Sequence, residues 1–371
     1  MRYNDIIMNW RALLEKPAVQ AVQKHWLSVA FVLGFVSDLI LLNQIDSLFD
    51  NLLLAFYVTL ATLSLLLFYA GVAQRGGERM ASWLERYMPV LMQYSFGGLL
   101  SGMLIFYGRS GDFFVSAPFF LLIIAVVFGN EFIKKRSNRL LFHLALYFIG
   151  TFAYFVMLVP LLTGMMGEVI FVGSGLLALT LIVLVVKLLI RIIPNFVTMQ
   201  IRSIVVVIGS IFVLFNGLYF FNVIPPIPLS LTELHIYHGV EKTAVGGYRV
   251  LTTNESWWQQ LPYLPLSFTP VKGGGAYCFA RVYTPVRLHT DIYHHWEYYD
   301  EAAGAWQSRF RISYPISGEN KRGYGGYSVS TNLRNGTWRC TVETERGQVL
   351  GRRTFTIDLS GNPGTLMTRI E

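Results

Sequence analysis

The chain has 371 residues, of which 53% are hydrophobic and only 14% charged, and its formal net charge is +8. This composition argues against an ordinary soluble globular protein, in which about 25% of residues are charged. No basic cluster alternates with aromatic residues on one face, so the positive charge does not indicate nucleic-acid binding.

The segment before the first apolar run, residues 1–25, has an amphipathic pattern. Its apolar residues recur at helical spacing between charged ones: Ile6, Ile7, Trp10, Leu13 and Leu14. This pattern predicts an amphipathic arm on the cytoplasmic membrane surface, although a short helix packed on a helical bundle has the same pattern. No cleavage site follows the run that begins at Trp26, so we expect its helix to be an uncleaved signal anchor.

Residues 26–222 consist mainly of apolar runs near the length of about 20 residues that crosses a bilayer. We predict seven spans, at 26–45, 51–73, 88–107, 112–130, 140–161, 168–187 and 202–222. The arm and the even-numbered connections hold 14 Lys and Arg residues, whereas the odd-numbered connections hold only Arg109. The positive-inside rule therefore predicts a cytoplasmic N-terminus and, after seven crossings, places residues 223–371 on the opposite side of the membrane.

Apart from charged residues at the first or last position of a span, two residues among Asp, Glu, Lys, Arg and His fall inside predicted spans: Asp38 in the first and His143 near one end of the fifth. A charge at mid-bilayer costs at least about 2.5 kcal/mol, so such residues are candidates for a transport or lipid-handling site. The structural interpretation is that Asp38 snorkels to the membrane interface or hydrogen-bonds a neighbouring helix, and that His143 lies at the interface beside Arg139. Gly98 and Gly102 form a small-residue pair of the kind that packs helices together.

Three prolines within residues 223–229 predict a stiff, extended linker. Beyond it the periodicity becomes that of strands. We predict an all-β, immunoglobulin-like sandwich over 230–371, with strands at 230–240, 246–252, 276–286, 288–299, 306–314, 324–333, 336–345 and 348–358.

Alternation along these strands assigns side chains to faces. Cys278 and Cys340 both point to the apolar side of their strands, which leaves two readings, a disulfide or two buried free thiols. With Trp296 between them, the order Cys, Trp, Cys is that of immunoglobulin-like sandwiches. In strand 306–314, alternation places on one side Trp306, Ser308, Phe310, Ile312 and Tyr314.

The stretch LHTDIYHHWEYYD, Leu288 to Asp300, has the density of histidines and acids that a metal or catalytic site needs. Strand parity separates it into an apolar face (Ile292, His294, Trp296 and Tyr298) and a polar face (His289, Asp291, Tyr293, His295 and Glu297). Successive residues on one face lie nearly 7 Å apart, too far for a compact metal shell without ligands from other strands. We therefore predict a strand whose polar row His289, Asp291, His295 and Glu297 is a contact surface for a ligand or partner.

Catalytic motifs are missing from the sequence: there is no nucleophile elbow, no HExxH and no phosphate-binding loop. We predict no catalytic residue, no bound metal and no cofactor.

Three segments resemble a bacterial domain of unknown function found at the C-terminus of proteobacterial envelope proteins. They are HHWEYY at 294–299, GYGGYS at 323–328 and GTWRCTVETERGQVLG at 336–351. The resemblance covers about residues 275–358. Cys340 stands where an aliphatic residue is usual, so a disulfide would be a local feature of this chain. The resemblance implies an inner-membrane protein of Gram-negative bacteria and carries no established activity.

Three hypotheses follow. The first is a non-enzymatic envelope protein whose outer domain binds a protein partner or an envelope glycan. The second is a transporter or lipid-handling protein that uses Asp38 and His143. The third is a metal-dependent site at His289, Asp291 and His295.

Overall fold

A computed structural model describes residues 26–42, 47–132, 136–244, 246–253, 266–285, 288–317 and 323–371. The predicted arm 1–25 lies outside these residues. The helices are α1 (Trp26–Leu41), α2 (Leu48–Val72), α3 (Glu78–Ser110), α4 (Ala117–Phe132), α5 (Arg136–Thr163), α6 (Glu168–Ile192), α7 (Pro194–Thr198) and α8 (Ile201–Phe220).

Among the described residues, five helices are long and apolar enough to cross a membrane: α2, α3, α5 from Leu140 onward, α6 and α8. They indicate a membrane protein. Helices α1 and α4 have 16 residues each and are shorter than the length of about 20 residues that spans a bilayer. Helix α3 begins ten residues before the predicted span 88–107, because the polar segment with Arg79 and Arg86 continues the helix.

The chain forms two compact units. The first comprises the described residues within 26–105, 122–156 and 172–214, and it holds most of the described helical residues. The second comprises the described residues within 106–121, 157–171 and 215–371, so it contains helix ends as well as the β-strands.

The β-sheet domain follows α8. Its strands are β1 (Ser230–Tyr237), β2 (Gly239–Lys242), β3 (Tyr248–Thr253), β4 (Leu266–Phe268), β5 (Ala276–Tyr283), β6 (His289–Asp300), β7 (Ala305–Ser317), β8 (Tyr324–Ser330), β9 (Gly336–Thr344), β10 (Val349–Ile357) and β11 (Leu366–Ile370). Each of the eight predicted strands is present within a few residues. The short strands β2, β4 and β11 were not predicted as separate elements.

These strands form three sheets, of order β1-β5-β8, β4-β10-β9-β6-β7 and β11-β3-β2. All pairings are antiparallel except that of β4 with β10, which is parallel. The main core contains buried side chains from both the β1-β5-β8 sheet and the five-stranded sheet, among them Ile236, Val282, Trp296, Trp338 and Phe355.

A second, smaller cluster lies on the other face of the β1-β5-β8 sheet. Its buried members include Phe279 of β5 and Tyr248 and Val250 of β3. Because Cys278 joins the main core while the adjacent Phe279 joins the smaller cluster, strand β5 is buried on both faces. This explains its nearly continuous run of apolar residues.

One prediction of strand faces is wrong. Alternation placed Trp306 and Ser308 on the same side as Phe310, but β7 is bulged: Trp296 of β6 pairs with Phe310, whereas the next residue, Glu297, pairs with Ser308. The extra residue in β7 reverses the parity. Residues directly opposite in a sheet share a face, so Trp306 and Ser308 lie on the polar face with Glu297.

The segment predicted as a linker is packed. Residues 224–229 are all buried, and within the second unit they lie among helix ends and β-sheet loops. The side-chain amide of Gln348 donates to the carbonyl of Ile224 at 3.2 Å, and that of Asn222 donates to the carbonyl of Arg346 at 3.0 Å. Prolines here stiffen a buried connection that links α8 to β1.

Candidate functional site

Strand β6 separates its side chains as alternation predicts. Ile292, His294 and Trp296 are fully buried, whereas His289 and Asp291 are exposed. The two adjacent histidines of the sequence, His294 and His295, therefore belong to different environments. One is part of the core and the other part of the polar face.

In the core, His294 belongs to a hydrogen-bonded group. Its Nδ1 lies 2.9 Å from Ser328 Oγ and its Nε2 lies 3.1 Å from the hydroxyl of Tyr314. Ser328 also accepts the indole N–H of Trp296 at 2.8 Å. Burial lowers the pKa of His294 to about 3, so the ring is neutral and offers one donor and one acceptor nitrogen. Both nitrogens have partners, and full burial gives the group a structural role.

Cys278 and Cys340 form a disulfide that joins β5 to β9. Their sulfurs and a ring nitrogen of His294 lie within 4.8 Å of one another, a spacing that metal ligands share. Because a metal takes thiolate sulfur and both sulfurs are bonded to each other, this group holds the sheets together and does not bind a metal in this state.

The polar face of the five-stranded sheet carries a first stacked cluster around Arg339. Its guanidinium donates to both carboxylate oxygens of Glu297, at 2.7 and 2.8 Å. It also lies 4.1 Å from the ring centre of Trp306. Burial raises the pKa of Glu297, but the hydrogen bonds and charge of Arg339 outweigh burial and hold the pKa below its ordinary value.

A second stacked cluster surrounds Arg311. Its Nε donates to Glu343 at 2.7 Å, and the guanidinium lies 3.8 Å from the ring centre of Tyr293. His295 lies between the two clusters, with Nε2 2.8 Å from Ser308 Oγ and Nδ1 3.7 Å from Glu343. The two clusters together bring aromatic rings, guanidinium groups and carboxylates onto one face of the sheet. We call this group the stacked layer: Tyr293, His295, Glu297, Trp306, Ser308, Arg311, Arg339 and Glu343.

His289 and Asp291 lie at the open end of the same face. With Pro315, Ile316 and Tyr324 they line a shallow depression. Six residues along a strand span about 20 Å, so His289 is far from His295. The structure thus divides the predicted row: His295 and Glu297 belong to the stacked layer, while His289 and Asp291 line the depression.

Most of the stacked layer was absent from the sequence prediction. Arg311, Arg339 and Glu343 come from strands β7 and β9, and only strand register brings them beside β6. The sequence does show that Arg339 and Glu343 alternate with apolar residues, which places both on the polar face of their strand. The sequence alone could not show which residues of β6 they would meet.

In the first unit, Asp38 is fully buried. Its two carboxylate oxygens accept hydrogen bonds from the hydroxyl of Tyr57 in α2, at 2.7 Å, and from that of Ser101 in α3, at 2.6 Å. His143 of α5 is also buried, with Nδ1 3.2 Å from the hydroxyl of Tyr69 in α2. Tyr57 and Tyr69 are about 18 Å apart along the helix, so the two predicted polar residues occupy separate sites.

The glycine pair of α3 packs helices. A Cβ at Gly98 would overlap the ring of Tyr57, and one at Gly102 would lie 2.8 Å from a methyl of Leu54. The interpretation of Gly98 and Gly102 as a packing surface is confirmed.

One known protein family matches part of this chain. The family described as "Protein of unknown function (DUF2914)" matches residues 289–357, which run from the start of β6 to the end of β10. No curated protein and no solved structure matches the chain. The C-terminal region therefore holds a DUF2914 domain of unknown function, and all residues of the stacked layer lie within it.

Proposed function

We propose that this protein is a non-enzymatic membrane protein of the cell envelope, whose β-sheet domain binds a protein partner or an envelope glycan through the stacked layer. The observation that carries the proposal is the pairing of Trp306 with Arg339 and of Tyr293 with Arg311 on the polar face of the sheet. Trp, Tyr and Arg are the residues that dominate binding energy at protein interfaces, and flat aromatic rings also suit sugar rings.

The stacked layer is held in place before any partner arrives. Glu297 fixes Arg339 with two hydrogen bonds, and Arg311 also donates to the backbone carbonyls of Thr344 and Glu345 at 2.8 and 2.9 Å. Ordering a long side chain on binding costs about 0.5–1.5 kcal/mol. Side chains that are already fixed avoid much of this cost, which favours a binding surface.

The proposal includes an immunoglobulin-like architecture for the β-sheet domain. Taking β1, β5, β6, β7, β8, β9 and β10 as strands A, B, C, C′, E, F and G, the sheets read A-B-E and G-F-C-C′. Strands A, B and E share one sheet and C, F and G the other in immunoglobulin domains. The bridge between β5 and β9, with Trp296 of β6 opposite Cys340, supports the same assignment.

For the membrane part, the proposal keeps seven spans, a cytoplasmic N-terminus and a periplasmic β-sheet domain at the inner membrane of a Gram-negative bacterium. The five long apolar helices and the uneven distribution of Lys and Arg support it. A periplasm-dependent reporter fused after residue 223 should be active, and one fused in the connection 74–77 should be inactive. The opposite pattern would contradict this orientation.

The binding proposal is tested by photo-crosslinking in cells, with benzoylphenylalanine placed at Trp306 or Tyr293. We expect discrete adducts with an envelope protein, or retention on peptidoglycan, at both positions. The control position is Tyr327, which is 40% exposed and lies on the other sheet, in β8. Adducts of equal yield at the control position, or none at the two test positions, would rule out the stacked layer as the binding surface.

The structure gives less support to the other two hypotheses, a transporter or lipid-handling protein and a metal-dependent site. Transport through a shared polar site is not favoured, because Asp38 and His143 contact separate parts of α2. A metal site shared by His289, Asp291 and His295 is not favoured, because His295 lies about 20 Å from His289 along the strand and contacts Ser308 and Glu343. Stoichiometric metal in the purified protein that is lost in both His289→Ala and His295→Ala variants would contradict this conclusion.

A further inference from the structure

The buried carboxylate of Asp38 lies between three helices of the first unit. It belongs to α1, and its hydrogen-bond donors belong to α2 and α3. An ionised carboxylate in such a place is costly unless it receives hydrogen bonds. A protonated carboxyl group needs a hydrogen-bond acceptor for its own proton. The surroundings of Asp38 can supply the donors and the acceptor.

The key partner is Ser101. Its hydroxyl oxygen lies 2.6 Å from Asp38 Oδ2 and 2.8 Å from the backbone carbonyl of Gly98. A serine hydroxyl has a single hydrogen and can donate to only one of these acceptors at a time. When Asp38 is ionised, Ser101 donates to the carboxylate. When Asp38 is protonated, Ser101 donates to Gly98, and its oxygen accepts the carboxylic O–H.

The second partner, Tyr57, continues the group toward less buried residues. Its hydroxyl donates to Asp38 Oδ1 at 2.7 Å and also interacts with the hydroxyls of Tyr94 and Ser37. Tyr94 and Ser37 lie 3.5 Å apart and are only partly buried. A series of hydroxyl groups therefore connects the buried carboxylate to residues at the edge of the helical packing.

We propose that Asp38 is a reversible proton-binding site within the helical unit. A rotation of the Ser101 hydroxyl satisfies the hydrogen bonds of both protonation states, so a proton is taken up or released without an unpaired buried group and without separating α1 from α3. The titratable groups that face Asp38 are Tyr57 and the buried Asp50 of α2 and, through Tyr57, Tyr94 of α3. This property is independent of the binding function proposed for the β-sheet domain.

Difference infrared spectroscopy tests the proposal on the full chain in lipid nanodiscs, titrated from about pH 4 to about pH 10. We expect a protonated-carboxyl band that disappears as the pH rises and is absent from Asp38→Asn. The control Glu78→Gln, which changes an exposed acid at the start of α3, should keep the band and its midpoint. A spectrum in which no titrating band depends on Asp38 overturns the proposal.

Variants of Ser101 give a second readout that does not depend on the folding of Asp38→Asn. Ser101→Ala removes a donor from the ionised form but only an acceptor from the protonated form, and bonds to charged groups are about twice as strong. We expect the midpoint to move toward higher pH by about one unit, and Ser101→Thr, which keeps the hydroxyl, to restore it. An unchanged midpoint in Ser101→Ala would show that the hydroxyl does not take part.

Discussion

His294 shows how one side chain can look chemical in the sequence and be structural in the fold. Its ring reaches Ser328 and Tyr314, an arrangement that in an open cleft would invite a catalytic interpretation. Here the histidine is fully buried, so no substrate reaches it. Its hydrogen bonds to Ser328 and Tyr314 define one arrangement of side chains in the core.

The buried, neutral state of His294 predicts acid sensitivity. Its pKa is about 3 when folded and 6.5 ordinarily, so below pH 6.5 the unfolded chain binds a proton that the folded chain does not. Stability is therefore complete above pH 6.5 and falls as the pH drops toward 3, by about 2 kcal/mol at pH 5. Urea unfolding of the full chain, followed by tryptophan fluorescence, should show this loss in the native protein.

The matching variant is His294→Gln, which keeps a donor and an acceptor but does not titrate. The pKa values of His235 and His238 are also lowered, chiefly by burial, so both proteins should lose some stability in acid. The difference between them isolates His294. If the two lose stability equally between about pH 7 and pH 5, His294 is not buried as described.

Ser328 is the residue on which this core group depends. Removing its hydroxyl in Ser328→Ala leaves the indole N–H of Trp296 and a ring nitrogen of His294 without their partner. Each unsatisfied buried group costs about 1–3 kcal/mol, so for these two groups we expect a loss of about 2–6 kcal/mol in the free energy of unfolding. Ser313→Ala, at an exposed position on β7, should change it by less than about 0.5 kcal/mol.

Among the elements, β7 decides the composition of the polar face. Its bulge beside Trp296 moves Trp306 and Ser308 to the side of Glu297, where Trp306 stacks on Arg339 and Ser308 meets His295. Alternation cannot reveal a bulge, because the extra residue depends on pairing with the neighbouring strand. The bulge therefore explains both the wrong prediction for β7 and the positions of Trp306 and Ser308 in the stacked layer.

The disulfide between β5 and β9 predicts a large stability effect. The bridged residues are 62 apart in sequence, and closing a loop of that length in the unfolded chain corresponds to about 4 kcal/mol in the chain-entropy model. The double variant Cys278→Ala, Cys340→Ala should lose about that free energy of unfolding. Reduction of the native protein under denaturing conditions should have a similar effect, whereas the reductant should leave the double variant unchanged.

In the helical unit, a side chain added at Gly98 of α3 should disturb the packing of α3 against α2. A methyl group there overlaps the ring of Tyr57, so Gly98→Ala should displace that ring and cost about 1–3 kcal/mol. Gly173 of α6 has no atom within 4 Å of an added Cβ, so Gly173→Ala should be neutral or slightly stabilising. The melting temperatures of the Gly98→Ala and Gly173→Ala variants are measured by thermal unfolding in detergent. Equal melting temperatures would contradict the packing described for α3.

In the molecule as a whole, the β-sheet domain does not form a compact unit by itself: the second unit includes helix ends together with it. Asp112, which follows α3, donates its backbone N–H to the carbonyl of Val349 in β10 at 3.3 Å. Gln348 and Arg346, in the turn between β9 and β10, bond to residues that follow α8. The β-sheet domain is thus tied to helix ends by polar contacts as well as by the chain.

The hydrogen bonds made by the side chains of Asn222 and Gln348 predict slow amide hydrogen exchange in the segment that follows α8. The double variant Asn222→Ala, Gln348→Ala should increase amide hydrogen exchange in residues 222–229 about tenfold, because lost hydrogen bonds lower the cost of local opening. Exchange in β9 should stay unchanged. Asn335→Ala serves as the control, since Asn335 holds the amide of Leu359 and should loosen only that region. Unchanged exchange at 222–229 would mean that apolar packing alone holds the segment.

The sequence by itself determined the apolar helical part, the eight main strands, the inward direction of both cysteines and the opposite faces of His294 and His295. These features follow from local periodicity, which one segment expresses alone. The tertiary structure decided the β7 bulge, the stacked layer, the burial of residues 224–229 and the partners of Asp38. Each of these depends on register or on contacts between residues far apart in the chain, and periodicity within one segment carries no information about them.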